Sequence, residues 1–67
     1  MTSGVDIFRA AILLVDQHRQ DAPIYAAMRA DELMARGDLD GQSIWKLILK
    51  AIDELLANER LEDAGLH

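Results

Sequence analysis

The chain of 67 residues contains no cysteine, so it has neither a disulfide nor a thiolate ligand for a metal. It is also poor in basic residues, with seven lysines and arginines against twelve aspartates and glutamates. The resulting net charge of −5 argues against binding to nucleic-acid phosphates or to an anionic membrane surface. No apolar run approaches the roughly 20 residues of a membrane-spanning helix. We therefore predict that the partner is a protein, with no nucleic acid and no membrane involved.

The N-terminal residues MTSGVDIFRA show no basic segment and no small-residue cleavage site. No signal peptide is therefore predicted, and a cytoplasmic location is the expectation. A chain of this length forms a single small domain, 1–67, which buries only about 60% of its unfolded surface. Domains of this size usually need a metal, a disulfide or a partner chain for stability. The hydrophobic content of 51% is nevertheless sufficient for a folded protein.

Apolar residues recur at intervals of three and four, which predicts an all-α fold, a compact three-helix bundle. The helices are expected at roughly 4–20, 22–36 and 39–59, followed by a frayed tail at 60–67. Pro23 suits the first turn of the second helix, and Gly37 suits the left-handed residue that ends it. Asp38 or Asp40 is expected to cap the third helix.

One shared core is predicted from the matched periodicity of the three helices. Trp45 is assigned to this core rather than to an exposed binding site, because its spacing matches that of the apolar residues that follow it. The predicted core residues are Ile7, Ala11, Leu14, Ala30, Leu33, Ile44, Trp45, Ile48, Ile52 and Leu55.

The segment RGDLDGQSIW, residues 36–45, resembles two functional motifs without satisfying either. A calcium loop that began at Asp38 would need a glycine at its sixth position and a glutamate at its twelfth, where this chain has Ser43 and Leu49. The Arg-Gly-Asp triplet would act in adhesion only on an exported protein. We therefore interpret the segment as a tight connection between two helices, and we predict no cofactor and no metal site.

Two ionisable residues, His18 and Asp31, fall on apolar stripes. One interpretation is a buried polar pair with a functional role, in which the carboxylate orients the imidazole. The structural alternative places His18 near the carbonyls that end the first helix, and lets Asp31 reach a backbone N–H, Arg9 or Arg19. No serine, cysteine or second histidine completes a nucleophile–base set with them. No catalytic residue is therefore predicted, and the chain is not expected to be an enzyme.

The segments RADELMARGD, GQSIW and AIDEL resemble those of a group of very small bacterial helical proteins classed as a domain of unknown function. The resemblance extends from about Asp6 to Leu55. It implies a compact, helical, cytoplasmic protein, and it brings no activity, cofactor or catalytic residue with it.

The leading hypothesis is a small acidic protein-interaction module that presents helix surfaces to itself, as a homodimer, or to another protein. Leu13, Leu47 and Leu49 form the candidate interaction surface, because nothing within one chain is expected to cover them. The alternative is an acidic inhibitor or nucleic-acid mimic that binds a basic partner protein. A ligand or metal site at His18 and Asp31 ranks third.

Overall fold

The computed structural model describes the backbone of residues 4–65 and the side chains of residues 4–58. This part of the chain is helical apart from the short connection at 36–38, and it contains no strand. The elements are α1 (Gly4–His18), a 3₁₀ turn (Arg19–Asp21), α2 (Ala22–Ala35) and α3 (Leu39–Gly65). The 3₁₀ turn follows α1 and precedes α2 directly, so the helical residues fall into two stretches, 4–35 and 39–65, and the first of these is interrupted as an α-helix at the 3₁₀ turn. The fold is all-α, as predicted.

The break between α1 and α2 lies at Arg19, whose φ of 54° is in the left-handed region. Pro23 explains this position. In a continuous α-helix the Pro23 ring would clash with the carbonyl of Arg19, four residues earlier, and would offer it no N–H. The chain forms a tighter turn instead, in which the Ala22 N–H donates to the Arg19 carbonyl. Pro23 then lies in the first turn of α2, as the sequence predicted.

The connection between α2 and α3 is fixed by local hydrogen bonds. Gly37 adopts a φ of 79°, its N–H donates to the Met34 carbonyl at 3.0 Å, and the Asp38 N–H donates to the Leu33 carbonyl at 2.9 Å. These are the two hydrogen bonds of a Schellman motif. The Asp38 carboxylate then accepts from the Gly41 N–H at 2.9 Å and caps α3. The predicted role of Gly37 is confirmed, and the first of the two candidate caps is the one used.

The core lies where α3 packs against both α1 and α2. It is built mainly from small side chains, and Ile52 is the largest residue that is fully buried among those described. Alanines spaced four apart let α2 approach α3 closely, because they lie on one side of the helix. The buried hydrophobic residues are Ala11, Val15, Ala22, Ala26, Ala30, Ile48 and Ile52.

The predicted core is largely recovered, although several of its members are only partly buried. Four of the predicted residues are buried: Ala11, Ala30, Ile48 and Ile52. Five more are partly buried and pack against the core: Ile7, Leu14, Ile44, Trp45 and Leu55. Leu33 is also partly buried. The prediction did not include three residues that are buried: Val15, Ala22 and Ala26.

The helix ends differ modestly from the predicted ones. α1 ends at His18, two residues before the expected limit, because the turn imposed by Pro23 begins at Arg19. α3 continues to Gly65, beyond the expected end at 59. Residues 60–65, which were predicted as a frayed tail, are therefore helical, since arginine, leucine, glutamate and alanine are strong helix formers, and the helix ends at Gly65. Residues 66–67 lie outside the described part of the chain.

Candidate interaction surface

The side of α1 next to its buried face carries four large apolar side chains in contact with solvent. We call this set the α1 surface: Val5 (64% exposed), Phe8 (46%), Ile12 (45%) and Leu13 (58%). At about 100° per residue, the four positions span roughly 140° of the helix circumference. Scattered single apolar residues are ordinary on protein surfaces, but a contiguous set on one helix is typical of an interaction site.

Two opposite charges lie within the same arc of α1. Arg9 and Asp16 are both exposed and are seven residues apart, which is about 10 Å along the helix at 1.5 Å per residue. They are therefore too far apart to form an ion pair with each other. Neither has a hydrogen bond or ion pair within the described part of the chain. Both charges are therefore available to a partner that places an acidic group opposite Arg9 and a basic group opposite Asp16.

A shallow groove of about 170 Å³ lies beside the α1 surface. It is lined by Ile12, Val15, Asp16, Arg19 and Leu55. Ile12, Val15 and Asp16 belong to α1, and Arg19 is the first residue of the 3₁₀ turn that follows it. Leu55 of α3 adds an apolar wall. The groove is therefore shaped to receive one apolar side chain from a facing helix.

A cluster of rings lies at the junction of the three helices. His18 stacks on Tyr25 with centroids 4.6 Å apart, and Tyr25 meets Trp45 edge to face at 6.0 Å. The Arg29 guanidinium lies 5.7 Å from the centroid of the Trp45 ring and pairs with Glu32 at 2.8 Å. These groups contact one another within the chain and hold the end of α1 and the start of α2 against α3. We therefore interpret the cluster as structural.

The predicted polar pair is not brought together in a buried site. His18 is half-buried against Tyr25, but Asp31 is exposed on α2. The reason is helix geometry: Ala30 belongs to the buried stripe of α2, and the next residue points about 100° away from it. Among the described residues, no group of three histidine, aspartate or glutamate side chains is placed to hold a metal ion.

The three predicted interaction leucines do not share one environment. Leu13 and Leu47 are exposed, with more than half of each side chain accessible. Leu49 is half-buried and packs against the core, because it lies one helical turn after Trp45 on the same flank of α3. The prediction that nothing within the chain covers Leu49 was therefore wrong.

The sequence analysis assigned neither Phe8 nor Ile12 to the interaction surface, because both lie beside core residues on one broad apolar face of α1. No signal in the sequence separates them from the core. Phe8, Ala11, Ile12 and Val15 have the spacing i, i+3, i+4 and i+7, which is that of one continuous apolar stripe.

Within residues 4–65, no helix combines the length and the apolar character needed to cross a membrane. Comparison with protein-family models, with curated proteins and with solved structures finds no match. The resemblance to small bacterial helical proteins therefore stays a prediction, and the surface is interpreted from its own geometry.

Proposed function

We propose that the protein is a small acidic protein-interaction module that self-associates as a homodimer in the cytoplasm. The observation that supports this role is the α1 surface, where four large apolar side chains lie in solvent on one helix. The core of the same chain, by contrast, is mainly alanine. Each large apolar side chain that a partner covers fully contributes about 1.5–3 kcal/mol. A binding role of this kind requires no catalytic residue.

We further propose that α1, α2 and α3 act as one compact three-helix bundle that a second copy completes. The packing of α3 against both α1 and α2 supports the bundle, and the exposed side chains of the α1 surface support its completion by a second copy. A closed two-fold pair is the commonest arrangement among soluble oligomers.

Sedimentation equilibrium from low micromolar to several hundred micromolar concentration tests self-association. We expect the average mass to rise from that of one chain towards that of two. Leu13→Glu places a charge in the α1 surface and should keep the chain monomeric, while its helical circular dichroism stays that of the unmodified protein. Persistence of the single-chain mass over the whole concentration range would contradict the proposal.

A further inference from the structure

The α1 surface combines an exposed ring, a groove and two unpaired opposite charges on one helix. We propose that a second copy of this chain docks antiparallel along α1, with Phe8 of each copy in the groove of the other and Arg9 facing Asp16. This inference rests on the proposed self-association. It specifies which helix makes the contact, how the two copies are oriented and which residues face one another.

The register follows from the positions of the two charges. In an antiparallel pair, the two-fold axis that places Arg9 of one copy opposite Asp16 of the other passes between Ile12 and Leu13. The centre of the groove lies between positions 15 and 16. The same axis places Phe8 of the other copy within about two residues of that centre, which is about 3 Å along the helix. One register therefore satisfies both the charges and the ring.

The orientation follows from the signs of the charges. In a parallel pair with the helices in register, Arg9 would face Arg9 and Asp16 would face Asp16, and juxtaposed like charges oppose association. In the antiparallel pair each copy contributes one ring, one groove, one cation and one anion. Every contact is then made twice, as an interface between identical copies requires. This self-complementarity on a single helix is why we assign the surface to a second copy rather than to a different protein.

The length of the contact sets its expected strength. α1 has 15 residues and therefore spans about 22 Å. Stable complexes bury about 1,600 Å² in total, and one pair of short helices buries less than that. We therefore expect a dimer that dissociates on dilution rather than a permanent one.

Charge reversal tests the register directly. Arg9→Asp and Asp16→Arg each place like charges opposite one another at both ends of the contact, and each should raise the dissociation constant at least tenfold. A mixture of the two single variants should associate again, because each variant then meets a chain of opposite charge at both positions. The double variant should also associate. Lys46→Asp and Asp31→Arg make the same changes of charge on the exposed faces of α3 and α2, and they should leave the dissociation constant unchanged.

Thiol cross-linking tests whether α1 lies at the contact between the two copies. The natural chain has no cysteine, so Ile12→Cys introduces the one thiol of the variant. Because position 12 lies beside the proposed two-fold axis, mild oxidation should convert this variant to a covalent dimer. Leu47→Cys is at least as exposed but lies on α3, and it should cross-link much more slowly. Phe8→Ser should raise the dissociation constant at least tenfold without loss of helical signal.

The outcomes separate this inference from the proposed function. If the unmodified protein is monomeric at every concentration, both fail. If it dimerises but neither charge reversal nor Phe8→Ser weakens the dimer, docking through α1 is wrong and self-association stands. Equal cross-linking of the Ile12→Cys and Leu47→Cys variants would also overturn docking through α1.

Discussion

Trp45 shows, at the scale of single residues, how one aromatic side chain supports a core made largely of alanine. The ring packs against the buried cluster, meets Tyr25 edge to face and lies beneath the Arg29 guanidinium. It therefore links α3 to α2 through apolar, aromatic and cation–π contacts at once. Aromatic pairs contribute about 0.5–1.5 kcal/mol beyond their buried area. The ring is nevertheless only partly buried, which limits what its removal can cost.

We expect Trp45→Ala to lower the free energy of unfolding by about 2–3 kcal/mol, less than the 3–5 kcal/mol of a fully buried aromatic residue. This is a large part of the stability of a small domain, which is on the order of 5 kcal/mol. Urea denaturation followed by circular dichroism measures the change. Trp45→Phe is the matched control and should keep most of the stability, because it retains an aromatic ring. A denaturation midpoint that Trp45→Ala leaves in place would show that the ring contributes nothing to the core.

Some single-residue roles could be predicted from the sequence, whereas others could not. Gly37 and Asp38 act through hydrogen bonds to residues three to five positions away, so local sequence is enough to assign them. The exposure of Asp31 and the partial burial of Leu49 depend on how each helix is rotated against its neighbour. That rotation is a tertiary property, and residues at the margin of an apolar stripe can fall on either side of it.

The junction of α1 and α2 is the most unusual local feature at the scale of elements. The sequence predicted a break near residue 21 from Pro23, and the structure places it at Arg19–Asp21. The left-handed conformation of Arg19 could not be predicted, because residues other than glycine, asparagine and aspartate rarely adopt it. The clash of the proline ring with the carbonyl four residues earlier explains only why the α-helical hydrogen bonding stops near Arg19.

Arg19→Gly should raise the free energy of unfolding by up to about 1 kcal/mol, because glycine adopts a positive φ without steric cost. Gln20→Gly is the matched control in the same 3₁₀ turn. Arg19 is the one described non-glycine residue with positive φ, so the control gains no steric relief and should lose about 0.5–1 kcal/mol. Both should be measured by urea denaturation at low protein concentration, because Arg19 also lines the groove beside α1. Equal destabilisation by the two substitutions would show that the left-handed residue stores no strain.

The distribution of apolar residues over the whole molecule connects the fold to its proposed role. On α1, the small or branched residues Ala11 and Val15 are buried against the rest of the chain, whereas larger residues such as Phe8 are exposed to solvent. A helix that served only an intrachain core would be expected to show the reverse order. The sequence alone merged these two faces, because together they cover more than half of the helix. Only the packing of α1 on α3 shows which of them is left uncovered.

Self-association should make thermal stability depend on protein concentration, because binding between folded chains stabilises the folded state by mass action. At a concentration ten times the dissociation constant this linkage contributes about 1.4 kcal/mol, which raises the Tm of a domain of this size by roughly 5–10 °C. Leu13→Glu should remove the concentration dependence. At the lowest concentration its Tm should match that of the unmodified protein, since substitutions of exposed residues usually change stability by less than about 0.5 kcal/mol. Leu47→Glu, a similar change on α3, should keep the dependence. Differential scanning calorimetry over a hundredfold range of concentration measures all three, and a Tm of the unmodified protein that is independent of concentration would exclude a stabilising dimer.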